Sequence, residues 1–138
     1  MDIVFLVGRV LLAVVFLLSA IGHLTQSKGM AQYAQSKGVP AAEAGVIASG
    51  LVFGLGALGL VLGVWADLAA LAIALTLVPV SLMMHAFWKE TDPQAKQGEQ
   101  INFNKNLALI GGLLVVFYLV NQSQDVPAGI TGPLFGRW

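Results

Sequence analysis

The chain has 138 residues, of which 57% are hydrophobic and 10% charged, with seven Lys plus Arg balanced by seven Asp plus Glu. An average soluble domain is about a quarter charged, so this chain lacks the polar groups to cover a water-facing surface, and its scattered cations form no stripe for nucleic acid. With no cysteine, disulfides, thiolate metal sites, iron–sulfur ligation and thiol exchange by this chain are excluded.

The first apolar run, Ile3 to Gly22, is broken only by Arg9 and Ser19. Asp2 stands where a signal peptide carries a basic leader, and Arg9 interrupts the stretch, so the run reads as a retained membrane span. A second run, Ala44 to Ala66, has Ser49 as its polar side chain, and a third, Leu68 to Trp88, carries no formal charge. Each exceeds or approaches the roughly 20 residues of helix that cross a hydrocarbon layer. Asp67 and its neighbours join the second and third as a tight hairpin. The fourth run, Leu107 to Val120, is short by itself and spans if its helix begins near Ile101. Lipid leaves no partner for free backbone amides, and continuous apolar runs then mean helices.

These elements predict an all-α, integral membrane four-helix bundle, one domain over residues 1–120 with spans at about 3–22, 44–66, 68–88 and 101–120. Residues 121–138 read as an irregular, surface-lying tail that Phe135 and Trp138 could anchor at the interface. An even number of crossings puts both termini and the Asp67 turn at one end. The segment after His23 and the connection from His85 to Lys105 lie at the other, together with Lys28, Lys37, Lys89, Lys96 and Lys105. By the positive-inside rule the long connections face the cytoplasm and the termini face out.

Within the spans, Arg9, Phe16 and His23 recur every seven residues and share one small, polar face with Ala13, Ser19 and Ala20, which should point inward. Gly50 and Gly54, then Gly59 and Gly63, follow the small-xxx-small spacing that lets helices approach. Gly111 and Gly112 offer a further packing point, and flat glycine faces would also allow copies of the chain to associate. Pro79 removes a donor from the third helix and invites a kink. At the terminal end, Asp67 is the nearest carboxylate to the embedded Arg9, and the two are expected to pair. At the other end His23, His85, Trp88, Asn102, Lys105 and Asn106 arrive at similar depth. Two histidines alone make a weak zinc site, which a carboxylate from Glu43 or Asp92 could complete, and no metal is expected. The histidines could relay protons, and with the lysine and amide donors they form a candidate site for the carbonyl oxygens of a quinone-like head group. The structural alternatives are an interfacial Trp88 and a snorkelling Lys105.

The stretch "FNKNLALIGGLL" (Phe103 to Leu114), about a dozen polar residues after "HAFW", and the opening "GRVLLAVVFLLSAIGHL" resemble the DoxX family; the likeness runs from Gly8 to about Leu119. The resemblance implies a small four-helix protein of prokaryotic cytoplasmic membranes. It also implies kinship with the membrane subunit of a thiosulfate:quinone oxidoreductase and with proteins of membrane oxidoreductase assemblies. Many relatives carry a glutamate in the second helix where this chain has Val52 or Phe53. That departure shifts the expectation from a catalyst to an accessory subunit of a quinone-linked respiratory redox complex, with lipid and other redox subunits as partners and quinone as the possible ligand. A quinone-binding oxidoreductase subunit is the alternative, and a small-molecule carrier the third reading.

Overall fold

The computed structural model describes residues 2–136, which fold without strands. In chain order they form α1 (Asp2–Thr25), α2 (Ser27–Ser36), α3 (Ala42–Leu62), α4 (Ala66–Met84), a 3-10 turn at Phe87–Lys89, and α5 (Pro93–Ser123). Among the described residues, four helices are long and apolar enough to cross a membrane: α1, α3, α4 with its 3-10 extension, and α5. Their interior is built from small residues, with Ala13, Ala57 and Ala70 fully buried around Phe16, Leu60, Ile73 and Leu113. Large aliphatic side chains point the other way, Leu11 at 64% and Leu55 at 70% exposure. This inside-out distribution is what lipid favours, since tails solvate leucine as well as a core does and leave packing of small residues to join the helices. The chain is an all-α membrane bundle.

Besides shifts of a few residues at the other helix ends, two elements differ from the sequence expectation. The segment after His23 is α2 rather than a loop. Its Ala31 and Ala34 pack on Ala42 and Val46 of α3, with Met30 at the edge. Gly38 (φ +80°) ends it, and Pro40 prevents its continuation. The last helix starts at Pro93, not near Ile101, because Asp92 caps it by accepting from the Ala95 amide at 2.8 Å and Pro93 occupies the first helical position, where its missing N–H costs nothing. The extension adds about 12 Å of helix at 1.5 Å per residue and carries Glu99 to the end where α2 lies.

The tail is irregular but not loose on the surface. Val126 is buried in the core. The amides of Ile130 and Thr131 bond to the carbonyls of Leu62 and Gly63, and Asn121 donates to the carbonyls of Phe135 and Gly136. The Phe135 ring packs edge-on against Phe117 at 6.2 Å rather than serving as a free anchor. The expectation for Trp138 lies outside the described residues.

The predicted ion pair between Arg9 and Asp67 does not form. Asp67, fully buried in the first turn of α4, accepts instead from the amides of Leu134 and Phe135 at 2.9 and 2.8 Å. Those part-buried amides would otherwise lack a partner, a loss of about 1–3 kcal/mol each where water is excluded. Arg9 is fully buried, and none of its three nitrogens finds a hydrogen-bond partner among the described residues. Its guanidinium lies 5.8 Å from the centre of the Phe5 ring. The sequence places both residues at one end but does not show that the tail returns to claim the carboxylate.

The glycines divide in the same way. A Cβ at Gly50 would lie 2.7 Å from that of His23, one at Gly54 3.3 Å from that of Ala20, and one at Gly59 3.0 Å from that of Ala69. Gly63 (φ +62°) closes α3 with the tail resting on it. Gly56, unremarked in the sequence, presses on Ile73. Gly112 makes only ordinary contact with Leu12, and Gly111 faces open space, so the expectation of a packing role fails at Gly111. It lies on the exposed face of α5.

Candidate functional site

At the end opposite the tail, α2 lies against α3 and, with α4 and the end of α1, lines a half-open cavity of about 630 Å³. His23 and Ser49 line one part of its wall and Tyr33 and His85 another; aliphatic residues including Val52 and Val80 supply the rest. Pockets for small ligands typically measure about 300–1,000 Å³, mostly apolar with a few placed polar groups. This one has that character.

His23 ends the polar stripe of α1. Gly50 leaves room for its Cβ, and the ring stands edge-on to Phe53 at 5.4 Å. Its Nδ1 lies 3.1 Å from the Val46 carbonyl and 3.0 Å from Ser49 Oγ. Ser49 itself donates to the Val46 carbonyl. A carbonyl can only accept, so Nδ1 carries the proton, and in the neutral ring Nε2 is left as the acceptor.

His85 caps the C-terminal end of α4 with its amide on the Ser81 carbonyl at 3.2 Å. Its Nδ1 meets Glu99 Oε2 at 2.7 Å. Glu99, nearly buried, also accepts from the Tyr33 hydroxyl, and Lys37 Nζ stands 3.4 Å from its Oε1 while bonding Glu90. Three side chains, from α2 and the end of α4, thus converge on one carboxylate of α5. Partial burial, and next the bond to Glu99, push the Tyr33 phenol above its ordinary range. The bond to Glu90, first among its causes, holds the Lys37 ammonium above the usual lysine range.

Of the six residues expected at this end, only His23 and His85 line the cavity. Lys105 projects from the exposed face of α5. Trp88 is half-exposed and stacks edge-on with Phe87 and Phe103. Asn106 is buried between α4 and α5, donating to Ser81 Oγ at 3.0 Å, and Asn102 sits half-buried on the same helix outside the cavity wall. Helix phase explains the split: α5 packs on the far side of α4, and its Lys-Asn motif turns away from α2. Sequence reasoning missed Tyr33 and Glu99, and named Lys37 only as a loop charge. The overlooked signals were the Asp92-Pro93 start of α5 and the Met30, Tyr33, Ala34 stripe of α2. Among the described residues no three His, Asp or Glu side chains converge as a metal set.

The DoxX family model matches residues 4–86, more than half of the chain. The chain belongs to the DoxX family. The match covers α1 to α4 of this DoxX protein, including both histidines and Tyr33, and stops before α5, so the Phe103–Leu114 stretch lies outside it. No curated protein and no solved structure matches the chain. Where the family resemblance implies a glutamate in the second span, Val52 lines the cavity and Phe53 packs in the core against Phe16 at 5.5 Å. The carboxylate behind the cavity wall in this DoxX protein comes instead from Glu99 on α5.

Proposed function

We propose that this DoxX protein is an accessory membrane subunit of a quinone-linked redox complex, and that the cavity between α2, α3 and α4 holds the quinone-like head group. The observation that carries the reading is the cavity itself. It is an apolar space of about 630 Å³ with His23 and His85, from different helices, on its wall. Lacking cysteine, the chain offers no thiolate ligand for a cluster, and in this reading electrons come from a partner carrying flavin, haem or iron–sulfur. The chain's own contribution is to bind, orient and exclude water. Its polar residues hold the head, and the aliphatic remainder of the wall accepts the chain. Lys28, Lys37, Lys89, Lys96 and Lys105 belong to the cavity end, and by the positive-inside rule that end faces the cytoplasm of a prokaryotic cell, with the tail outside.

A purely structural anchor is the competing reading, favoured by Val52 and Phe53 standing where relatives carry an acid. Equilibrium binding of a short-chain quinone and its hydroquinone to purified protein in lipid nanodiscs separates the two. The proposal expects saturable binding of at least one form, weakened at least tenfold by His85→Ala, and copurification of a redox-active partner from native membranes. No binding of either form, with no such partner, sinks it.

A further inference from the structure

Every hydroxyl on the cavity wall already donates to the protein. Ser49 gives its proton to the Val46 carbonyl, Thr76 to the Ala72 carbonyl at 2.8 Å, and Tyr33 to Glu99. Both histidines direct Nδ1 to protein acceptors, Val46 and Glu99. What these lining residues keep unengaged is therefore lone pairs: the Thr76 oxygen and, in the neutral rings, His23 Nε2 and His85 Nε2. Gln26, exposed at the rim, is the exception, with an amide free to donate. Lys105 and the asparagines, the donors expected to grip a carbonyl oxygen, do not line the cavity.

We infer that the cavity selects a ligand which brings its own donor: a lipophilic molecule with a phenolic hydroxyl, held by donation to His23 Nε2. In the terms of the proposed function, on whose binding site this rests, the reduced, hydroxyl-bearing form of the head group is preferred over the carbonyl form. Two neutral acceptors face to face repel and leave a polar atom unsatisfied in a low-dielectric site. A hydroxyl facing an imidazole nitrogen satisfies both. Sites built around one polar partner reject the analogue lacking it more strongly than an apolar pocket rejects a misfit in size. His23 is well placed for this role. Its ring is fixed by the Nδ1 bonds and by Phe53, and the bond to the Val46 carbonyl sets the tautomer.

The test uses the full chain in nanodiscs under anaerobic conditions, with three probes sharing one alkyl chain: the hydroquinone, its dimethyl ether and the quinone. The hydroquinone is expected to bind at least tenfold tighter than either of the others. His23→Asn keeps a donor near the Nδ1 position but has no atom at Nε2, and it is expected to shrink the preference below threefold. The wild-type series stands without the variant if His23→Asn fails to fold. Equal binding of all three probes, or tightest binding of the quinone, overturns the inference and leaves the cavity as a ligand site. A preference unchanged in folded His23→Asn overturns the role of His23. Binding of none of the three overturns both this inference and the proposed function.

Discussion

His85 donates its Nδ1 proton to Glu99 at 2.7 Å, across the junction between the end of α4 and the early turns of α5. The same carboxylate accepts from Tyr33 of α2, so an amphipathic helix outside the spans is tied to the polar end of the bundle through one residue. The cavity wall depends on that tie, because α2 contributes a large part of it.

The tie has a pH limit whose sign follows from the direction of the shifts. Tyr33 is raised above its ordinary value of 10.0, and Lys37 is raised as well. A group whose folded value is raised contributes stability that is fully present below its unfolded value and is lost as pH rises through the folded one. The docking of α2 should therefore be constant through neutral pH and fail in strongly alkaline solution, while the lowered Glu99 carboxylate sets a separate limit in acid. Amide hydrogen exchange of residues 27–36, compared between wild type and Tyr33→Phe, checks this. In the wild type protection should fall as the phenol ionises, whereas in the variant that step should be missing. Loss of protection near neutral pH in the wild type would contradict it.

Gly50 and Gly111 should respond oppositely to alanine. A Cβ at Gly50 would come within 2.7 Å of His23 Cβ and 3.3 Å of Leu24, and overpacking of this kind costs about 1–3 kcal/mol. At Gly111 nothing lies within 4 Å, so Gly111→Ala should change stability by less than about 0.5 kcal/mol or improve it through helix propensity. Thermal denaturation in mild detergent measures both, and equal losses would show that glycine on α5 packs against something outside this chain.

Asp67 is expected to hold the tail. Asp67→Ala leaves the Leu134 and Phe135 amides without their acceptor, a loss on the order of 3 kcal/mol for charge-assisted bonds. Residues 130–135 should then exchange amide hydrogens faster and become open to carboxypeptidase, while α1 to α4 stay protected. Asp67→Asn, which keeps one oxygen, should fall between. A tail equally protected in all three proteins would mean that the Leu62 and Gly63 carbonyls and Asn121 hold it without Asp67.

Among the described residues Arg9 has no acceptor to lose. Arg9→Met replaces a buried, unpaired guanidinium by an apolar side chain, and removing such a charge is neutral or stabilising when volume is kept. The midpoint of thermal unfolding should stay or rise. A marked fall would reveal an interaction of Arg9 formed only in the membrane or in a larger assembly.

The polar end shows why part of the site was legible and part was not. His23 and His85 were readable because each terminates a long apolar helix, and helix length alone fixes their depth. Lys105 and Asn102 shared that depth, yet depth says nothing about which way a helix is turned. Glu99 was hidden because the start of α5 was set near Ile101 from hydropathy, whereas a local cap at Asp92 carries the helix further out.

What the amino-acid order determines alone is the number of crossings, the all-α class and the end at which each polar residue lies. Those follow from the cost of unpaired amides in lipid and from a rise of about 1.5 Å per residue. Tertiary structure decided the partners: Asp67 with the returning tail rather than Arg9, and Glu99 with Tyr33 and His85. Such choices depend on helix rotation and on which free amides or acceptors reach a charge first, and these are properties of the packed bundle that no single segment encodes.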